Sequence, residues 1–422
     1  MTGAPAAGSG GVAGRGRQID QAGERRSARI ESLRAIAAIA VMLGHVHGIG
    51  HDYAPTVYDS YLDRAVMGGG FGVFLFFGLS GYLLFWPFAR RDLGGGSPID
   101  LRRYAVNRAL RILPLYWVSI VVVLLVQEGG GTAEQWLLFM LGLENFDRST
   151  VGQVNGVLWS VVVELHFYAL LPLLALGLAR VARGSLRRAA LAIAACGAAS
   201  LLLWIALVML PVRESPLWRY NLPATFFFFT GGMLLTVLRI AWERRPPALL
   251  SGVAGRRDAW LLAAAALTAV TFYEYDLVPL MVVVSFLAVG ACVLPLRDGV
   301  LERVLDWRPL AAVGVASYSL YVWHARIIEN GIDEGLLPGG TLGLLVTAVP
   351  LSIAFAFLSY RFVEAPFLRL RRRWSTASAP TSEPSAPAQA PAPATLAAVL
   401  GDDRGEVVVD LPEPDEDPLA RR

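Results

Sequence analysis

Lysine is missing: every one of the 37 basic residues in this 422-residue chain is arginine. Charge of either sign is scarce, at 17% of residues, against roughly a quarter in a soluble domain. Net charge is only +3, so no bulk affinity for nucleic acid is expected. Cysteine is reduced to Cys196 and Cys292, both inside apolar runs. No disulfide framework follows from them, and both read as small core residues. Metal chemistry lacks its carriers: there is no HExxH and no cysteine pair, and His45 and His47 at i, i+2 face apart on a helix. The glycines from Gly68 to Gly72 sit at the end of an apolar span and do not form a phosphate-cradling loop. Residues 1–27 are rich in Gly, Ala and Arg and lead into a full apolar span without a clear cleavage site, unlike a secretory signal.

What the chain has in excess is apolar length. Hydrophobic residues make up 55% and mean hydropathy is +0.51. They fall in runs approaching the ~20 residues that cross a hydrocarbon core of roughly 30 Å. Ten spans are predicted, at 33–50, 69–88, 110–127, 156–179, 189–211, 223–241, 258–274, 277–296, 310–328 and 341–362. The segment Trp136–Leu143 is too short to cross and reads as interfacial or re-entrant. Short arginine-rich loops stay cytoplasmic. With the N-terminus inside, 29 arginines fall on inner segments and 4 on outer loops, alternating without a break. The fold class expected is therefore all-α, a polytopic transmembrane helix bundle of ten helices with both termini cytoplasmic. Residues 29–373 form the membrane domain. Residues 1–28 and the Pro/Ala-rich, then acidic, 374–422 are expected to lack structure, having too little apolar surface to offset ordering entropy.

Ionisable groups inside a bilayer are costly and mark cavities or partners. In the first span, Arg34 and His45 are eleven residues apart, close to three turns, and share a face roughly 16 Å apart along the axis. Histidine is the side chain best suited to take a proton from a hydroxyl near neutral pH. The plain alternative is a capping arginine and a histidine bonded to a nearby carbonyl. In the second span Ser80-Gly81 could kink the helix, and small residues there read first as packing; no elbow motif makes Ser80 a nucleophile. Arg108 and Arg111, near Arg102 and Arg103, either anchor the chain inside or grip a polyphosphate beside a proline-broken helix start. In the fourth span Ser160, Glu164 and Tyr168 share a face. Glu164 either orients a histidine or pairs with an arginine across helices. The ninth span, with Ser317, Tyr318, Tyr321, Trp323, His324 and Arg326, is unusually polar and should face the interior. Glu364 and Pro366 read as a structural helix end. His47 and His51 look interfacial, and His166 points away from Glu164.

Taken in order, RIESLRAIAAIAVMLGH, FFGLSGYLL, RALRILPLYW, LWSVVVELHFYALLP, SYSLYVWH and FVEAPF resemble the marks of the acyltransferase 3 family of multipass membrane acyltransferases. The likeness runs from about Ile30 to Arg373. It departs at Leu165-His166, where the family commonly carries Glu-Gln. Some members carry a fused extracytoplasmic hydrolase-like domain; the tail after Arg373 is too short and polar to be one. The resemblance implies an acyl-CoA co-substrate, usually acetyl-CoA, arriving from the cytoplasm, with no permanently bound cofactor and no metal. The acceptor it implies is a hydroxyl on a glycan, a lipid-linked sugar or an antibiotic-like metabolite. It makes His45 the catalytic histidine; with the residues read above, Glu164 or another polar group is expected to tune it, and Arg34, Arg108 and Arg111 to position the donor's phosphates or polarise its thioester carbonyl. Ser80, Trp159, Ser160, Tyr168, Tyr321 and His324 are expected to line the substrate pocket. A transporter also suits ten helices with buried charges, but no inverted repeat relates the two halves.

Overall fold

The computed structural model describes residues 10–54, 58–126, 130–209, 215–245 and 252–377. In chain order the α-helices are α1 (Gly10–Gly50), α2 (Tyr61–Met67), α3 (Gly72–Gly94), α4 (Leu101–Val126), α5 (Ala133–Met140), α6 (Leu158–Ala182) and α7 (Leu186–Met209). There follow α8 (Ser215–Arg219), α9 (Leu222–Thr225), α10 (Phe227–Arg244), α11 (Arg257–Tyr273), α12 (Met281–Val293), α13 (Glu302–Leu305), α14 (Arg308–Val315), α15 (Ser317–Asp333), α16 (Thr341–Ser359) and α17 (Ala365–Ala377). Among the described residues, β-pairing is limited to one bridge between Arg256 and Arg297.

Seven helical segments among the described residues are long and apolar enough to cross a membrane: Ser27–Gly50, Tyr61–Gly94, Leu101–Val126, Leu158–Ala182, Leu186–Met209, Tyr275–Val293 and Thr341–Arg371. The remaining expected spans are helices as well, α10, α11 and α15, but these have only 17 or 18 residues. α15 is also the most polar of the three by sequence. Helix α1 begins at Gly10, inside the segment expected to lack structure; helix propagates at little cost once an apolar span has nucleated it. Residues 1–9 and 378–422 lie outside the described residues.

Ser80-Gly81 and Pro114, either of which could break a helix, lie within continuous ones. α3 runs through Ser80-Gly81, and α4 starts at Leu101 and carries Pro114 within it. Gly81 serves close approach: a Cβ there would stand 2.1 Å from the Phe229 carbonyl oxygen of α10. A Cβ on Gly232 would stand 1.9 Å from the Gly78 carbonyl oxygen, and one on Gly78 would meet Ser285 of α12 at 2.5 Å. Lipid tails are as apolar as leucine, so helices in a bilayer associate through such close packing. Stacked aromatics fill the space beside this seam, with ring centroids 3.7 Å apart for Phe74–Phe228, 4.6 Å for Phe77–Phe229 and 4.1 Å for Phe167–Phe229. The same logic corrects the reading of Cys196: it is exposed on α7, while Cys292 is buried, because an apolar run does not distinguish a lipid-facing side from an inward one.

The short α5 and the turn after it form a plug at one end of α4 and α6. Thr132 caps α5 in a reciprocal capping box with Gln135. The Tyr116 hydroxyl donates to the Phe139 carbonyl at 2.8 Å and also lies 3.2 Å from Glu144 Oε2. Glu144 is buried, and the Thr150 hydroxyl donates to its backbone carbonyl. Burial pushes the Glu144 carboxyl up to about 8, against the opposing pull of the Tyr116 hydroxyl. A raised carboxylate binds its proton more tightly folded than unfolded, so the stabilisation is complete below the unfolded pKa and fades as pH climbs toward 8.

Gly232→Leu should destabilise the bundle by about 1–3 kcal/mol or more through overpacking, while Gly177→Ala, where a Cβ meets nothing within 4 Å, should be silent. Melting of the detergent-solubilised protein reads both. The melting temperature should also fall by several degrees between pH 5 and pH 8, and Glu144→Gln should flatten that slope.

Candidate active site

A narrow cleft of about 100 Å³ runs between α1, α3, α4, α6 and α15. It touches α3 from Val73 to Leu84, a stretch of roughly 16 Å at the helical rise. Arg34, Arg108 and Arg111 line it together with Ser80, Glu164, Tyr168, Ser317 and Tyr318. Apolar side chains, among them Phe76, Phe77, Leu83 and Ile112, form the remaining wall. Ser160 and Tyr321 also line it, bonded to one another at 2.7 Å.

Three guanidinium groups in an apolar bundle need compensation. Arg34 Nε donates to Ser317 Oγ at 3.2 Å and lies 3.6 Å from Glu31 Oε2. Arg111 Nη1 donates to Glu364 Oε2 at 3.2 Å. The other oxygen of Glu364 accepts from the Ser319 hydroxyl at 2.6 Å and the Ser319 N–H at 3.1 Å. Glu364 therefore ties α4 to the start of α15, which the reading of it as a helix end had missed. It closes a π-helical turn, Tyr360–Glu364, just before Pro366. That proline has no N–H to offer the residue-362 carbonyl and crowds it, and the backbone opens by one residue there. A charged residue beside a proline in an apolar run was the available signal. Compensation is incomplete: Arg108 Nε and Arg111 Nη2 are buried without a hydrogen-bond partner. Donors held in this way suit an anion entering the cleft.

Glu164 is where the fourth span was expected to place it, on the face shared with Tyr168, but its partners are not histidines. The Ser80 hydroxyl and the Tyr168 hydroxyl both donate to Glu164 Oε1, the latter at 2.6 Å. The structure thus does not bring Glu164 to His45. Tyr104 Oη in turn donates to the Tyr168 carbonyl at 3.0 Å, securing this corner.

His45 pairs with His324. Its Nδ1 is 2.9 Å from the Val41 carbonyl, one turn back on α1, and 3.4 Å from His324 Nε2. The rings meet edge to face with centroids 5.0 Å apart. His324 Nδ1 is 3.0 Å from the Leu320 carbonyl, again one turn back. α1 comes close to the 3₁₀ turn Gly68–Phe71 at this level through Gly44, whose added Cβ would sit 3.3 Å from Gly70 N. Neither imidazole lines the cleft. Between them and it stands Tyr321, its ring 6.0 Å from His324 and 5.8 Å from Phe76. Of the residues expected to form one pocket, Ser80, Ser160, Tyr168 and Tyr321 line the cleft with the three arginines. His324 is fully buried behind it. Trp159 packs on Tyr220 and Phe77 outside the lining.

Removing one member of a buried ion pair costs roughly 3–5 kcal/mol by stranding the other charge. Glu364→Ala is expected to destabilise by about that amount, and Arg111→Met combined with Glu364→Ala by clearly less than the sum. A double-mutant cycle on thermal stability checks it.

The chain matches the acyltransferase domain that defines the acyltransferase 3 family over residues 27–361. It is similar to the peptidoglycan O-acetyltransferase OatA of Listeria monocytogenes, 23% identical over 80% of this chain and 55% of that protein. It is similar also to nodulation protein 10 of Rhizobium leguminosarum (25% identical, 80% of this chain, 92% of that protein) and to the exopolysaccharide production protein ExoZ of Rhizobium meliloti (27% identical, 72% and 91%). The chain spans little more than half the length of the Listeria protein and of a similar Bacillus subtilis protein, 55% and 58%. No solved structure matches it. Residues Arg34, Glu164 and Tyr321, gathered on one cleft from distant parts of the sequence, all fall inside the matched stretch, and the chain belongs to the acyltransferase 3 family.

Proposed function

We propose that this chain is a membrane-bound O-acyltransferase. It moves an acyl group, acetyl by default, from a CoA thioester to a hydroxyl on a glycan or another sugar-bearing acceptor. The observation that carries this is the cleft itself: under-compensated arginines at one end, and at the other a single tyrosine separating it from a histidine pair. The names of its relatives, which include a peptidoglycan O-acetyltransferase and an exopolysaccharide production protein, support a glycan acceptor.

In this reading ten helices cross the bilayer with both termini cytoplasmic, residues 29–373 form the working unit, and 1–28 and 374–422 flank it. The alternation of arginine-rich segments in the sequence supports the orientation. The arginine end of the cleft then faces the cytoplasm, where Arg34, Arg108 and Arg111 meet the phosphates of CoA or polarise the thioester carbonyl. Ser80, Glu164 and Tyr168 form the wall along which the acyl arm lies, and Tyr321 moves aside to let the thioester reach His45. His45 Nε2 takes the proton of the acceptor hydroxyl as its oxygen attacks the thioester carbonyl carbon. The carbon–sulfur bond breaks, and the proton passes to the departing thiolate, giving an ester and free CoA thiol.

Purified protein in liposomes, given labelled acetyl-CoA and extracted cell-envelope glycan, should release CoA thiol and form labelled ester. Flux of a substrate without covalent change would sink the proposal. His45→Asn should lower kcat by about 10²–10⁴-fold, and Arg108→Ala with Arg111→Ala should chiefly raise KM for acetyl-CoA.

A further inference from the structure

We infer that His324 is a positioning residue that, together with the Val41 carbonyl, holds His45 in the one tautomer able to act as a base through Nε2. The inference rests on the reading of His45 as proton acceptor and goes beyond it, since the pairing joins residues 279 apart in sequence.

A carbonyl oxygen has no proton to give, so a ring nitrogen bonded to one must carry the hydrogen. His324 Nδ1 faces the Leu320 carbonyl at 3.0 Å and is therefore the protonated nitrogen. Its Nε2 is then a lone pair, and that lone pair lies 3.4 Å from His45 Nδ1. His45 Nδ1 also faces the Val41 carbonyl at 2.9 Å. Two acceptors thus converge on one nitrogen, and both demand a hydrogen there. The remaining nitrogen, His45 Nε2, holds the free lone pair and has no hydrogen-bond partner among the described residues.

His324 does more than duplicate Val41. The backbone carbonyl lies on the same helix and moves with His45, whereas His324 comes from α15, 279 residues away in sequence, and fixes the ring plane relative to the cleft. It is fully buried and is gripped one turn back by its own carbonyl, so its lone pair has one direction. When His45 accepts a proton at Nε2, its Nδ1–H becomes a charged donor, and the hydrogen bond to His324 strengthens about twofold. A carboxylate in this position would supply the same help at the cost of a permanent buried charge. A neutral imidazole supplies it only as the proton arrives.

The test uses the full chain in lipid, labelled with ¹⁵N-histidine. Solid-state NMR, with His45→Asn to identify the signals, should show His45 solely as the Nδ1–H form in the native protein. In His324→Phe the Val41 carbonyl alone holds the ring, the ring is free to turn off that bond, and the Nε2–H form should appear beside the Nδ1–H form. Release of CoA from acetyl-CoA, with the same glycan extract as acceptor, should fall about 10- to 100-fold in kcat, the usual scale for losing an outer partner, while KM for acetyl-CoA stays within about twofold. His324→Gln, whose amide oxygen can accept from Nδ1, should keep the Nδ1–H form and most of the rate, and it guards against a folding failure of the Phe variant. A His324→Phe protein with an unchanged His45 tautomer and unchanged kcat overturns the inference, as does a folded His324→Gln protein that has lost both. A His45→Asn protein with native rate removes the base itself, and the tautomer measurement on His324→Phe is then read independently.

Discussion

Hydrocarbon supplies neither water nor counter-ions, and every charge in this bundle is arranged around that fact. Arg34 and Arg111 enter the apolar interior from α1 and α4, and two carboxylates, Glu31 and Glu364, follow them in. The first pair lies within α1, and the second joins separate elements. Glu364 holds α4 against the first turn of α15, and Arg34 reaches the same turn through Ser317. The start of α15 is thus fastened from two sides, which sets the position of Tyr321 and His324 one and two turns further along. A desolvated charge that is nearly but not fully paired is also the group most ready for an incoming anion, so the device that stabilises the bundle also prepares the cleft.

The rigid counterpart is the seam of α3 with α10 and α12. Glycines bring backbone to backbone, and stacked phenylalanines flank the contact. Among the described residues this side carries no buried ion pair of its own near the cleft; it presents an apolar wall against which the polar helices are set. Small residues here are the packing itself, since nothing larger fits between Gly232 and Gly78.

Much of the helix pattern was legible because bilayer thickness imposes a length on every span. Residues sharing a helix face were legible too: Glu164 and Tyr168, four apart, do bond. What could not be read was pairing between helices distant in sequence. His45 with His324 and Arg111 with Glu364 are separated by 279 and 253 residues, and no periodicity reports such contacts. For the same reason Glu164 was offered to a histidine when its partners are Ser80 and Tyr168. At Ser80-Gly81 the packing reading holds, with Gly81 against the Phe229 carbonyl, and the helix start expected to break at Pro114 runs on continuously in α4. Cys196 was placed inward because apolar sequence alone does not separate a lipid-facing side from a buried one.

Tyr321, locked by Ser160 and by the Val157 carbonyl and leaning on Phe76, closes the cleft short of the histidines. Swinging Tyr321 aside breaks its bonds to Ser160 and to the Val157 carbonyl together, at roughly 1 kcal/mol for each bond left unreplaced. A long, thin cleft guarded in this way rewards an occupant that brings hydrogen-bonding groups of its own to the hydroxyls it displaces.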